Sequence, residues 1–145
     1  MSTSLLYRIL GLPGYQHQSV KDEGGVMSFR VRPPASSVCP GCQSTEVTRR
    51  GTYTRVVHAP PIGMRRVLVF IDAPRVGCTR CGSVRITRLL GVVPVTNHTH
   101  SLVRLIVDLR KMMTIQDIAG WLGVSTTWFE TSTSSTLKLT LANHA

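Results

Sequence analysis

The sequence predicts an α+β fold in which a small β domain, organised around one hairpin, precedes a pair of helices. Two Cys-x-x-Cys motifs flank a stretch rich in Thr, Val and Arg, and the residues before the first motif alternate between apolar and basic. After residue 100 the apolar residues follow helical spacing instead. Because strands repeat every two residues and helices about every 3.6, this change of period separates a β part from a helical part.

Three strands are predicted in the β part, over residues 26–32, 47–58 and 65–71, from their alternation and their β-propensity. Residues 59–63 contain two prolines and a glycine and are predicted to form a turn, because proline cannot donate to a ladder. Pro74 is expected to loosen the end of the third strand. The second and third strands then form a hairpin between the two cysteine pairs.

All four cysteines lie in matched motifs, Cys39-Pro40-Gly41-Cys42 and Cys78-Thr79-Arg80-Cys81. Each motif places two thiolates on one tight turn, which Gly41 and Gly82 are expected to ease. Four sulfurs brought together suit tetrahedral Zn²⁺, and the hairpin absorbs a 35-residue spacer that exceeds the usual length of roughly 15–20. A rubredoxin-like iron site, a redox dithiol and unbound cysteines are the alternatives. The prediction is one structural zinc ion, bound by Cys39, Cys42, Cys78 and Cys81.

Three histidines, His58, His98 and His100, could be mistaken for further ligands. A closed site of four cysteines needs no other ligand, whereas an open catalytic site would include histidine or carboxylate. These histidines are therefore predicted to be surface or turn residues near phosphates.

Residues 114–125 have the layout of a helix-turn-helix. Thr114 is expected to cap a helix with Asp117 three residues on, Gly123 to take a positive φ in the turn, and Ser125 to cap the next helix. An ordinary helical hairpin is the alternative. The expected recognition helix, residues 126–135, contains no basic residue and few helix formers, which is unlike a helix that contacts base edges.

The charge balance indicates a polyanionic partner. Seventeen basic residues, fourteen of them arginines, face seven acidic ones and give a formal net charge of +10. Arginine suits bidentate contacts to phosphate and guanine, although an arginine-rich solvated surface from a GC-rich genome gives the same composition. Eight arginines on the hairpin and near the second cysteine motif are the candidate DNA contacts: Arg49, Arg50, Arg55, Arg65, Arg66, Arg80, Arg85 and Arg88.

Several classes of protein are disfavoured by the sequence. No secretory signal is present, and no apolar stretch approaches the roughly 20 residues that cross a bilayer, so a soluble, cytoplasmic protein without a membrane partner is expected. No nucleophile–base pair or paired-carboxylate motif stands out, so the chain is not expected to be an enzyme.

The order of these motifs resembles the ISL-three type of bacterial insertion-sequence transposases. The resemblance is carried by Leu10-Gly11-Leu12, the first cysteine motif, residues 75–81, Ile118-Ala119 and residues 122–125. Members have an N-terminal zinc finger, a helix-turn-helix and a DDE catalytic domain, and the first two recognise terminal inverted repeats. The resemblance implies a DNA-binding N-terminal fragment without the catalytic domain. Its partners would be double-stranded DNA at transposon ends and the parent transposase. The alternative is a stand-alone zinc-ribbon regulator or adaptor that binds protein or RNA.

These expectations divide the chain into an N-terminal segment (1–25), a zinc-finger β domain (26–95), a helix-turn-helix (99–130) and a poorly ordered tail (131–145). The tail is rich in Ser and Thr, whose side chains compete for backbone hydrogen bonds. The hypothesis for this tail is a reading frame lost after Ser125, and the alternative is plain truncation with a random tail.

Overall fold

A computed structural model of the protein describes residues 3–34, 38–93 and 96–123. In chain order its elements are α1 (Thr3–Leu10), β1 (Gln16–Glu23), β2 (Val26–Arg32), β3 (Val47–Ile62), β4 (Arg65–Cys78), β5 (Val84–Ile86), α2 (His100–Leu109) and α3 (Ile115–Leu122). The strands form one sheet in the order β1-β2-β4-β3, and β5 also pairs with β4. Among these five strands β2 and β4 run parallel, and the other neighbouring pairs are antiparallel. The fold is therefore a mixed α+β fold made mostly of strands.

The predicted hairpin is present and is longer than expected. Its register runs from Ile62 opposite Arg65 at the tip to Val47 opposite Cys78 at the open end. Because Val47 follows the first cysteine motif and Cys78 begins the second, this pairing brings the two motifs together.

Proline interrupts the hairpin less than the sequence suggested. The predicted turn over 59–63 was wrong at its start, since β3 continues to Ile62 and the turn contains Gly63 and Met64. The ladder shifts register between Ala59 and Ile62, so the two prolines between them need no ladder partner. Pro74 likewise does not end β4, which continues to Cys78. It lies opposite Thr52 beside a second register shift, and its carbonyl accepts from the Thr87 N–H at 3.1 Å.

The edge strand β1 was not predicted, because its sequence QHQSVKDE shows no buried side. Nearly all of its residues are exposed, and backbone pairing with β2 holds the strand in place. The turn between the two strands is Gly24-Gly25. The predicted boundary at residue 25 falls in this turn, and the division of the chain into four segments stays a prediction.

One face of the sheet carries the main core. Phe29, Val31, Val57, Val69 and Ile71 point to this face and are at most 1% exposed. The N-terminal segment covers them with a second set of buried side chains, Leu6, Leu10, Leu12 and Tyr15. Burying side chains of this size contributes roughly 1.5–3 kcal/mol each. The first helix and the hairpin thus share one core.

The helical part has a separate cluster built from Leu102, Ile106, Ile118, Ala119 and Leu122. Each helix is preceded by a threonine N-cap whose side chain accepts a hydrogen bond from a backbone N–H three residues later. The Thr99 hydroxyl accepts from the Leu102 N–H and the Thr114 hydroxyl from the Asp117 N–H, each at 3.2 Å.

The end of α3 also follows the sequence expectation. Gly123 takes the left-handed conformation at φ 69° and donates to the Ala119 carbonyl. The guanidinium of Arg66 lies where a Cβ at Gly123 would be. The expected third helix and the tail lie outside the described residues. No helix in the described ranges is long and apolar enough to cross a membrane.

Candidate metal centre

The two cysteine motifs form tight turns with matching hydrogen bonds. In the first, Cys39 accepts at its carbonyl from the Gln43 N–H and donates its own N–H to the Ser44 carbonyl, both at 2.9 Å. In the second, Cys78 makes the same two contacts with Gly82 and Ser83, at 3.0 and 2.9 Å. The two halves of the site are therefore built on the same local backbone pattern.

The two glycines ease their turns in different ways: a Cβ at Gly41 would lie 3.2 Å from Arg85 Nε, whereas a Cβ at Gly82 would meet nothing within 4 Å. Gly82 has φ 70°, but Gly41 is not in the left-handed region. In the first turn the corresponding residue is Gln43, at φ 61°, which is the single non-glycine with positive φ among the described residues. A side chain at such a φ is disfavoured, so the first turn carries strain that the second avoids.

The four sulfurs converge at the open end of the hairpin. Cys39 Sγ lies 3.7 Å from Cys81 Sγ, and Cys42 Sγ lies 3.4 Å from Cys78 Sγ. All four sulfurs are within 4.8 Å of one another. Tetrahedral Zn²⁺ with Zn–S bonds of about 2.3 Å requires S···S separations of about 3.8 Å. The separations of 3.7 and 3.4 Å are close to this value, and all four sulfurs lie near enough together to bind one ion.

Backbone and hydroxyl donors favour the thiolate form at part of the site. The Cys42 and Gly41 N–H groups lower the pKa of Cys39, and the side chain and N–H of Ser83 lower the pKa of Cys81 to about 6. The Ser44 N–H also lowers the pKa of Cys42, but contacts with the other sulfurs and burial outweigh it and raise that pKa to about 11. Four thiolates this close repel one another, so a bound cation is what allows all of them to ionise.

A direct contact joins the second turn to the chain that leaves the first. The Thr79 N–H donates to the Glu46 carbonyl at 3.1 Å, and the Thr79 hydroxyl donates to the same carbonyl at 3.2 Å. The metal ligands are thus aligned by the β3–β4 ladder on one side and by this contact on the other.

Four of the predicted DNA-contact arginines surround this centre: Arg49, Arg50, Arg80 and Arg85. All four are exposed. Arg85 lies over the first turn, since a Cβ built at Gly41 would be 3.2 Å from Arg85 Nε. Arg50 lies over Gly77, since a Cβ built there would be 2.9 Å from Arg50 Nε. Arg75 is also exposed in β4 near this end. It was missed because the third strand was predicted to end at residue 71. Four thiolates with Zn²⁺ carry a net charge of about −2, which these guanidiniums offset.

The other four predicted arginines do not join this group. Arg55 is half-buried and donates to three oxygens of residues 93–97, the shortest contact being 2.6 Å to the Thr96 carbonyl. Arg65 pairs with Asp22 on β1, and Arg66 lies against Gly123. Arg88 is exposed beside a cavity that Arg55 also lines. Their role as DNA contacts stays a prediction.

The histidines have different environments. His98 is 2% exposed, which makes its assignment to the surface wrong, and its ring stacks on His58 with centroids 5.6 Å apart. Burial, with the charges of His58 and Arg55, lowers the pKa of His98 to about 3. Burial also lowers the pKa of His58. Both rings are therefore neutral at pH 7, whereas His100 is exposed as the first residue of α2.

Comparison with known proteins identifies the metal-binding part. Residues 35–81, which are 47 of the 145 residues, match the family described as the zinc-finger of transposase IS204/IS1001/IS1096/IS1165. No curated protein and no solved structure matches the chain. The matched segment contains the four clustered cysteines, which are positioned to bind one metal ion. This segment is similar to the zinc ribbon of ISL-three type transposases, and its metal is Zn²⁺.

Proposed function

We propose that the chain is a DNA-binding part of an ISL-three type transposase and recognises double-stranded DNA at the ends of an insertion sequence. The arginines around the zinc centre carry this proposal. Arg49, Arg50, Arg80 and Arg85 lie exposed at one end of the hairpin, inside or next to the segment that matches a transposase zinc finger. Guanidiniums bind phosphate oxygens in a bidentate manner, and a protein that neutralises several phosphates gains affinity by releasing counterions.

The helical part supports the same proposal. α2 and α3 are joined by a short connection and share one apolar cluster, and α3 ends at a left-handed glycine as the first helix of a helix-turn-helix does. The predicted recognition helix, residues 126–135, lies outside the described residues, so this support comes from α2, α3 and the left-handed Gly123. The parent transposase, as a second partner, would assemble with the DNA-bound chain.

A role in recognition without catalysis is part of the proposal. Among residues 3–34, 38–93 and 96–123, the one group of three or more His, Cys, Asp or Glu side chains that could hold a metal is the cysteine cluster. A closed set of four thiolates leaves no open position for water or substrate. Incubating the zinc-loaded chain with Mg²⁺ and end-containing duplex tests this part, and cleaved or joined DNA would contradict it.

The salt dependence of DNA binding tests the proposal as a whole. The measurement is fluorescence anisotropy of a labelled duplex at salt concentrations from about 50 to 200 mM. The test variant is Arg49→Gln with Arg80→Gln, because these side chains do not pack over the glycines next to the ligands. We expect the slope of log K against log salt to fall by about 0.9 for each phosphate that the variant no longer neutralises.

The matched control removes the same charge elsewhere. Arg8→Gln with Lys21→Gln removes two exposed positive charges on α1 and β1, away from the zinc centre. Equal slopes for the two double variants, or binding that ignores salt, would contradict the proposed interface. A preference for single-stranded RNA over the duplex would favour the adaptor alternative.

A further inference from the structure

A cavity of about 450 Å³ lies between the chain that follows β5 and the start of α2. Residues 86–92 form most of its wall, and Arg55 and His100 complete it. Three of its lining side chains are Arg55, Arg88 and His100, and none of the described lining residues is acidic. Apolar side chains make up most of the rest, so the two guanidiniums face a space partly enclosed by apolar groups, in which charge interactions are strengthened.

The basic groups differ in how firmly they are held. Arg55 is fixed by its bonds to Asn97 Oδ1 at 3.3 Å and to the carbonyls of Val93 and Thr96 at 3.4 and 2.6 Å. Arg88 is exposed, and no carboxylate pairs with it in the described part of the chain. One guanidinium is therefore preorganised and a second is available to close on a ligand.

The start of α2 contributes to the same wall. His100 is its first residue, no acidic side chain lies in its first turn, and its N–H donates to the Gly91 carbonyl at 2.9 Å. Gly91 has φ 78°, and a Cβ there would lie 2.5 Å from the Gly11 carbonyl oxygen. Gly91 therefore contacts both the N-terminal segment and α2, and these contacts fix the position of the cavity wall.

The wall also contains a polar group without a partner. The Thr87 side chain is 4% exposed, and its hydroxyl has no hydrogen-bond partner among the described residues. Buried hydroxyls are nearly always hydrogen-bonded, so this one indicates a missing acceptor. Because Thr87 lines the cavity, a rotation of its side chain would present the hydroxyl to an anion seated there.

We propose that this cavity binds a phosphate group through Arg55, Arg88 and His100, with the Thr87 hydroxyl as a further donor. The volume exceeds that of one phosphate, and the apolar wall formed by Leu89, Leu90 and Val92 suits the sugar of a nucleotide. The phosphodiester of a DNA strand is the source favoured by the net charge of +10. That source rests on the proposed function, whereas the phosphate site itself does not.

Two measurements on the zinc-loaded full chain test the site with Arg88→Gln. The first is the thermal midpoint in inorganic phosphate against chloride at equal ionic strength. Phosphate should raise the midpoint of the unchanged protein, because a ligand of the native state stabilises it, and Arg88→Gln should abolish that rise. The second is duplex binding against salt, in which Arg88→Gln should lower the slope by about 0.9. Arg32→Gln is the control, since Arg32 is exposed on β2, away from the cavity wall.

A second variant separates binding from folding. Thr87→Val removes the hydroxyl and keeps the shape of the side chain, so a merely structural role predicts an unchanged or higher midpoint and an unchanged effect of phosphate. The proposed site predicts a smaller rise with phosphate.

The outcomes distinguish this site from the proposed function. If the duplex is not bound but phosphate protects the protein through Arg88, the site stands, its ligand is a free phosphate, and the proposed function fails. If the duplex is bound but Arg88→Gln behaves as Arg32→Gln does in both measurements, the site is overturned and the proposed function stands.

Discussion

The two ends of the β3–β4 hairpin are stabilised in different ways. Near the tip, Val57, Val67, Val69 and Ile71 are buried in the main core with α1. At the open end, residues 48–54 are all exposed, and the core cluster includes no residue between 38 and 56. The same pair of strands therefore passes from a packed apolar region to one that is held by the cysteine cluster and by pairing of β5 with residues 75–77.

This difference explains why the chain needs zinc where it does. At the open end only the three residues of β5 pair with the hairpin, and a narrow β ribbon without a packed apolar face is marginal in water, so this end requires another source of stability. Structural zinc contributes about 10–16 kcal/mol in small zinc domains, several times the contribution of any single buried aliphatic side chain. One metal ion thus replaces the core that this end lacks.

Zinc removal is the largest expected effect. Chelation should abolish amide protection over residues 38–53 and 74–86, because ligand assembly and local folding are coupled. Protection over residues 26–32 and 66–71 should persist, since their core does not contain the metal. Hydrogen exchange of peptides from the holo and chelated protein measures both. Equal loss at the two ends would mean that the hairpin folds as one unit.

The next largest effect is expected from a substitution that creates a cavity in the main core. Ile71→Ala should destabilise the protein by about 2–5 kcal/mol, because Ile71 is fully buried among Phe29, Val31 and Val57. Denaturant unfolding gives the free energy, and the absorption of the Co²⁺-substituted site reports on the metal centre under native conditions. We expect that spectrum to be unchanged. A shifted Co²⁺ spectrum would show that the metal site depends on the core.

The smallest expected effects are those of substitutions at the positive-φ residue of each cysteine turn. Gly82→Ala should cost about 1–2 kcal/mol, because it introduces a side chain at φ 70°. Gln43→Gly should change stability by less than about 1 kcal/mol, since relief of strain at φ 61° is offset by the greater freedom of glycine in the unfolded chain. Thermal unfolding of the zinc-loaded variants measures both. A larger loss of stability for Gln43→Gly would show that its side chain makes interactions that outweigh its strain.

Sequence patterns predicted the parts of the fold that depend on local chemistry. The cysteine spacing indicated the zinc site, and the alternation of apolar residues indicated β2 and the hairpin. The Thr114 and Gly123 signals correctly predicted the two ends of α3. β1 escaped prediction because a polar edge strand is held by backbone pairing, which leaves no mark on its side chains. The prolines at 60, 61 and 74 gave wrong strand ends, because register shifts allow a strand to include residues that cannot donate to the ladder.

The sequence by itself determined the ligand set, because four thiolates in two short motifs are chemically sufficient for zinc wherever the chain brings them together. Tertiary structure decided which of the arginines share a surface. Arg49 and Arg80, 31 positions apart, lie at one end of the hairpin, whereas Arg55, only six positions from Arg49, is fixed against residues 93–97. It also decided that His98 is buried and neutral. The physical reason is that metal affinity resides in the ligand atoms, whereas the exposure and charge state of a side chain depend on segments that are distant in the sequence.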